Sequence, residues 1–469
     1  MDSILSKKIF YFLGGFVLLE ALSLVAFSWP VLGPWVFILV LIASFTLAIY
    51  RLEYGLLLLV AEMIIASKGY LFSWGPWSWR LALFVIIIIA WLYHALKAKN
   101  LWSRLRQLPL PYYFSGLLLF CLIGAVQGYL HYGLSSNWWP DLNGWLFFAI
   151  LPALAFVYYK NPDKKVYERL ALVALAAVIW LGLKTLVFFF IFSHDFSWSY
   201  HLYRWIRVSG VGEITNIGFN WPRIFLQSQV YAPIAFLGLL FFPSKKFAYH
   251  VLLTLCLMTT LISFSRSFWA GLLLAYIFAA FILIKRNSLK IWLKQTLLVA
   301  GLTAGSLVLI YVLAFFPYPK SLVSFSPDLF QRRANFLESE AAIASRWSLL
   351  KPLWQKAWQE PVLGQGFGTL VSYHSSDPRI LELHPDGYYT TYAFEWAYLD
   401  ILLKIGLLGL LAYLVLLGRI LRQGFKNSTP LKAAIISALV FLIVTNVFTP
   451  YLNHPLGIAY LLFSSCLIF

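Results

Sequence analysis

Apolar runs of about 20 residues, separated by short polar or basic stretches, recur along almost the whole chain. A helix rising about 1.5 Å per residue crosses the ~30 Å hydrocarbon layer of a bilayer in such a run. The pattern predicts an all-α polytopic membrane protein of about 14 transmembrane helices. They fall near residues 9–27, 31–50, 53–67, 80–96, 111–131, 143–159, 168–193, 223–243, 248–264, 267–285, 295–316, 393–418, 432–449 and 453–469. Runs 53–67 and 453–469 are the least sharply bounded. One connection differs: residues 317–391 are too polar to cross, and a long loop in a compact protein usually has a function. It contains LFQRRANFLESEAAIASRWSLLKPLWQKAWQE, which reads as helical up to Pro361. Trp347, Trp354 and Trp358 follow at spacings of seven and four, which puts them on one face, against the bundle or at the lipid interface.

The chain therefore divides into N-terminal transmembrane helices (1–222), transmembrane helices carrying outer-edge arginines (223–316), a large periplasmic or extracellular loop containing helices (317–391) and C-terminal transmembrane helices (392–469). No internal repeat is evident. The opening MDSILSKKIF followed by an apolar run is like a signal peptide, but no small-residue cleavage site follows, so it reads as a retained first span.

Composition agrees. Of 469 residues, 61% are hydrophobic and 12% charged, and the mean hydropathy is +0.79, which excludes an ordinary soluble domain. The net charge of +18 invites a nucleic-acid partner. The placement of the charges argues against one: Lys7, Lys8, Arg51, Lys97, Lys164, Lys165, Lys245, Lys246, Arg419 and Arg422 fall on loops of one side, as expected of cytoplasmic loops. Both termini are then cytoplasmic, and loop 317–391 is on the outer face. Cys121, Cys256 and Cys466 all lie in apolar runs without metal-ligand spacing and read as packing residues.

On this map Arg223 (in NWPRIFLQSQVYAP), Arg266 (in ISFSRSFWAG), Arg346 (in SRWSLL) and Glu395 (in AFEWAYLDILLKIGLLG) share the outer edge. A guanidinium donates two parallel hydrogen bonds and keeps its charge, so arginines near the hydrocarbon edge suit a lipid-linked phosphate or diphosphate. Each residue has a plainer reading. Arg266 suits an interfacial anchor, Arg223 the head of a helix, and Arg346 a solvated helix face; Glu395 suits an ion pair with one of the arginines. Gln227, Gln229 and Tyr231 form a polar stripe that either lines a sugar pocket or makes helix-to-helix hydrogen bonds. Gly364, Gly366 and Gly368 are a weak match to a phosphate-binding loop, with no strand before them and no lysine after. Lys184 and Lys404 stand inside apolar runs without an evident reason.

Four stretches resemble the O-antigen ligase and O-antigen polymerase-like membrane glycosyltransferases: SRSFWAG (265–271), SRWSLLKPLWQKAWQEPVLGQGFG (345–368), EWAYLDILLKIGLLGLL (395–411) and NHPLGIAYLLF (453–463). Together they cover most of residues 260–469. The resemblance implies a glycan on undecaprenyl diphosphate at the outer leaflet of the bacterial cytoplasmic membrane. An acceptor hydroxyl, on a glycan or another molecule, attacks the anomeric carbon with inversion, and neither metal nor cofactor is needed. Membrane lipid is a further expected partner, and nucleic acid is not expected. Arg266 and Arg346 match the family's best-marked arginines, and Arg223 looks like a further one. Where the ligases carry a histidine, eleven residues before the G-x-x-G of Gly406 and Gly409, this chain has Glu395. Either Glu395 takes that role, or His384 in ELHPDGYY reaches in from the loop. Arginines nearby would weaken Glu395 as a base, so positioning of the acceptor hydroxyl is the more natural role for it. Two other classes remain: a transporter or flippase of an anionic or lipid-linked substrate, which should carry polar residues at mid-membrane on broken helices, and a non-catalytic scaffold.

Overall fold

The computed structural model describes residues 2–98, 108–286, 289–324, 341–376, 378–426 and 429–469. The first part of the helical stretch expected at 329–360 lies outside them. Among the described residues, nine helices are long and apolar enough to cross a membrane: Lys7–Ser28, Pro30–Tyr50, Trp79–Lys97, Pro111–Tyr132, Trp138–Tyr158, Lys164–Ser193, Arg266–Lys285, Trp292–Ala314 and Ala397–Lys426. Three shorter apolar helices are Phe247–Ile262, Pro430–Thr445 and Pro455–Ile468.

The expectation of fourteen spans is thus met in part, and the departures have local causes. The run at 53–67 is a 14-residue helix, Leu52–Ile65, buried everywhere except Tyr54 and Leu58. A helix apolar on all sides is a core helix as readily as a membrane span. The run at 223–243 is not one helix. Residues Pro222–Phe225 form a strand, Gln227–Val230 a 3-10 turn, and the helix runs only from Tyr231 to Leu240. The run at 393–418 begins as helix at Ala397 and is interrupted at Gly406, whose φ of +69° lies in the left-handed region.

Among the described residues the strands form three antiparallel hairpins: β1 (Ser73–Trp74) with β2 (Trp77–Ser78), β3 (Glu213–Asn216) with β4 (Pro222–Phe225), and β5 (Val371–His374) with β6 (Tyr388–Thr391).

The chain forms two compact units. The first comprises residues 1–105, 152–326 and 428–441. The buried helix Leu52–Ile65 packs on Lys164–Ser193. Its charged residues are paired: Glu62 accepts from Arg80 at 3.0 Å, and Glu53 accepts from Arg169 at 2.5 and 2.9 Å. Lys184, unexplained by the sequence, donates to Glu20 (2.5 Å) and to the Ile65 carbonyl (2.6 Å). A buried cation is tolerated when its donors are used in this way.

The second unit comprises residues 106–151, 327–427 and 442–469. Helix Pro111–Tyr132 packs on helix Ala397–Lys426 at Gly124, where an added Cβ would lie 2.8 Å from the Lys404 carbonyl oxygen. Helix Ala341–Ala357 buries Leu349, Leu353 and Ala357 in a core shared with Val371, Phe394, Leu402 and Leu403.

Candidate functional site

In the second unit the helix Ala341–Ala357 presents Arg346, and the short link after β6 presents Glu395, two residues before the next helix begins. The two side chains form a two-pronged ion pair. Arg346 Nε donates to Glu395 Oε2, and its terminal nitrogen donates to Oε1 at 3.0 Å. The side chains are 39% and 47% exposed, so the pair is accessible from solvent. Trp396 fixes the register by donating its indole N–H to the Arg346 carbonyl at 2.9 Å. Of the alternatives left by the sequence, Glu395 therefore does pair with an arginine, and that arginine is Arg346.

The helix carrying Glu395 at its head is held by its break. At Gly406 the helical ladder stops, and residues 361–366 take up the released groups. Gln365 N–H donates to the Leu403 carbonyl (2.7 Å) and Gly366 N–H to that of Lys404 (3.2 Å). Leu407 and Leu408 N–H donate to the carbonyls of Pro361 (2.7 Å) and Val362 (3.3 Å). This strap requires glycine. Gly364 has φ +83°, and a Cβ on it would lie 2.6 Å from the Gly406 nitrogen. Gly366 has φ +89°, and its Cβ would lie 2.6 Å from the Gly128 Cα. The amides of the glycine segment 364–368 are engaged within the protein: besides those of Gln365 and Gly366, Gly364 N–H donates to the Glu360 carbonyl (3.0 Å), Phe367 N–H to Gly124 (3.0 Å) and Gly368 N–H to Asp141 Oδ2 (2.8 Å). The glycines thus serve close backbone packing, and the phosphate-loop alternative has no amides left to use.

Lys404 lies in the same region, fully buried. It bonds Asp141 and, at 2.5 Å, Asp400 one turn earlier. Asp400 also accepts from Asn453 at 2.6 Å. One ammonium therefore joins helix Trp138–Leu146, the first half of helix Ala397–Lys426 and, through its carboxylates, Gly368 and the link before the last helix. The sequence reading missed Asp141, Asp400 and Asn453. The available signals were Lys404 itself, since an intramembrane cation needs a partner, and Asp400 at the i−4 position.

In the first unit Arg223 stands on β4 opposite Thr215. Its Nε donates to the Ser263 carbonyl at 2.9 Å, and its guanidinium lies 4.8 Å from the centre of the Phe225 ring. Ser263 opens the turn that ends at Arg266, the first residue of helix Arg266–Arg286, and Phe264 within it has φ +46°. The structure thus ties Arg223 to the Arg266 turn, through a strand and not the expected helix head. Arg266 is half-buried between the buried Ser265 and Ser267.

The expected sugar stripe is not continuous. Gln229 is fully buried, donating to Thr185 at 3.2 Å and accepting from Leu226 N–H at 3.0 Å. Tyr231 is buried with its hydroxyl 3.9 Å from the Met63 sulfur. For these two the bonding between elements of the protein, the second of the two alternatives, is what is seen. Gln227 is half-buried, and its backbone N–H donates to Ser67 Oγ at 2.9 Å. His384 is exposed after the short helix Pro378–Leu383, its ring 6.3 Å from Tyr389.

Residues 251–414 match the O-antigen ligase family. That segment is O-antigen ligase-like. The matched segment contains Arg266, Arg346, Glu395, the glycine strap and Gly406, whereas Arg223, Asp141 and the closing NHPLGIAYLLF stretch lie outside it. No curated protein gives a match. The match and the apolar helices together support a bacterial membrane protein with an O-antigen ligase-like segment.

Proposed function

We propose that this O-antigen ligase-like enzyme transfers or polymerises a glycan from undecaprenyl diphosphate onto an acceptor hydroxyl, at the outer face of the cytoplasmic membrane and with inversion at the anomeric carbon. The observation that carries the proposal is the exposed Arg346–Glu395 pair at the head of a rigidly braced helix, within the segment that matches the family.

The Arg223–Arg266 element of the first unit serves the donor. As the glycosidic bond breaks, negative charge accumulates on the departing diphosphate, and a guanidinium held in a half-buried turn stabilises it with little reorganisation. The Arg346–Glu395 pair of the second unit serves the acceptor. Glu395 accepts a hydrogen bond from the acceptor hydroxyl and orients it; a carboxylate already paired with a guanidinium is a poor base, so orientation outweighs proton removal. His384 has no part in this reading.

One observation favours transport: a helix broken at Gly406 with charges buried beside it, as in substrate paths. Against it, the groups freed by the break are bonded to residues 361–366, and Lys404 is paired on two sides. That supports a fixed scaffold over a path.

The orientation role is tested by comparing Glu395→Gln with Glu395→Ala at equal protein level in a glycan-transfer assay. Gln keeps a hydrogen-bond acceptor, so the proposal expects Gln to retain more activity than Ala, with a gap of about tenfold. Equal loss in both variants would reject orientation as the role of this side chain.

A further inference from the structure

Residues 346 and 347 are adjacent on one helix and so project about 100° apart. Each meets one of another adjacent pair: Arg346 meets Glu395, and Trp347 packs edge-on against Trp396, ring centres 5.5 Å apart. The aromatic pair therefore lies beside the ion pair. Trp396 is held on two further sides. Its indole N–H is bonded to the Arg346 carbonyl, and Phe448 lies 5.6 Å away. Trp347, in contrast, is 58% exposed. The helix cannot rotate to cover it without drawing Leu349, Leu353 and Ala357 out of the core they share with Leu402 and Leu403.

A large indole is thus kept uncovered next to an uncovered carboxylate and guanidinium. We infer that Trp347, backed by Trp396, is the platform for a sugar ring of the acceptor, whose hydroxyls meet Glu395 and Arg346. A pyranose is two-faced in the same way. Its axial C–H groups make an apolar face that fits an aromatic plane, and its equatorial hydroxyls at the rim need charged or polar partners. A lipid chain would use the indole but leave the ion pair without purpose. Trp354, near the end of the same helix, and Trp358, just beyond it, lie 5.5 Å from each other and fit a lipid interface. The inference rests on the reading of Arg346–Glu395 as the acceptor's pair, and it narrows the acceptor to a carbohydrate.

The test measures binding apart from transfer. Oligosaccharides released by mild acid from the host's polyprenyl-linked glycan pool are titrated against the purified full chain in nanodiscs, with saturation-transfer NMR as the readout. Trp347→Ala is expected to weaken binding about tenfold, the loss of one anchor residue, while Trp347→Phe retains most of it and Trp354→Ala changes nothing. In transfer assays the acceptor KM should rise in Trp347→Ala while the donor KM stays unchanged. No binding to the wild type, wild-type binding by Trp347→Ala, or equal weakening by Trp347→Ala and Trp354→Ala would overturn the inference. The last result would mark the whole tryptophan face as lipid-facing. Because oligosaccharide binding is read without turnover, loss of the transferase reading would leave this result interpretable.

Discussion

At the scale of the residue, two paired cations have opposite characters. Arg346 meets its carboxylate at the surface, where both partners stay accessible and the pair adds little to stability. Lys404 meets two carboxylates in the interior, where removal of one partner leaves uncompensated charge. Lys404→Met is therefore expected to destabilise the protein by ~3–5 kcal/mol, read as a lowered melting temperature in detergent. Combining it with Asp141→Asn and Asp400→Asn should recover much of the loss, because the carboxylates no longer lack a counter-charge. Recovery absent from the combined variant would mean that Lys404 acts through packing and not through charge. The sequence exposed these residues unequally. Arg266, Arg346 and Glu395 were legible because they interrupt apolar runs in recognisable motifs. Asp141 was not, since its partner stands on a helix far away in sequence and periodicity carries no information about such pairs.

At the scale of the element, the strap and the broken helix are one device. The glycines of the strap and Gly406 are two halves of a single backbone contact, and that is why both occur. Gly366→Ala has no room at the Gly128 backbone and a strained φ, so it should separate the strap from the helix. The expected outcome is a chain that still inserts in the membrane but loses most transferase activity. It should also gain hydrogen exchange at the amides of Gln365 and Leu407. Wild-type exchange at those amides would contradict the role assigned to the strap. The helices themselves were mostly legible from apolar run length. The hairpin β3–β4 was not. Pro222-Arg-Ile-Phe is apolar enough to merge with the helix that follows, and only Pro222 and the Asn216–Gly218 turn, where Gly218 N–H donates to Asn216 Oδ1 at 2.8 Å, mark it as separate. The run at 53–67 likewise could not reveal whether lipid or protein surrounds it, because both solvents are apolar.

At the scale of the whole molecule, the account joins a family match over residues 251–414 to chemistry carried by both compact units. Arg223 and Arg266 stand in one and the Arg346–Glu395 pair in the other. The proposal that Arg266 and Glu395 are each needed for transfer is tested most directly by reconstitution. The purified chain receives synthetic undecaprenyl diphosphate oligosaccharide and a panel of hydroxyl acceptors in the presence of EDTA, with Arg266→Ala and Glu395→Ala run beside the wild type. The account predicts transfer with release of undecaprenyl diphosphate by the wild type, and its loss in both variants at equal protein level. Undiminished transfer in either variant, or movement of the lipid-linked glycan across a vesicle membrane with no transfer at all, would contradict it.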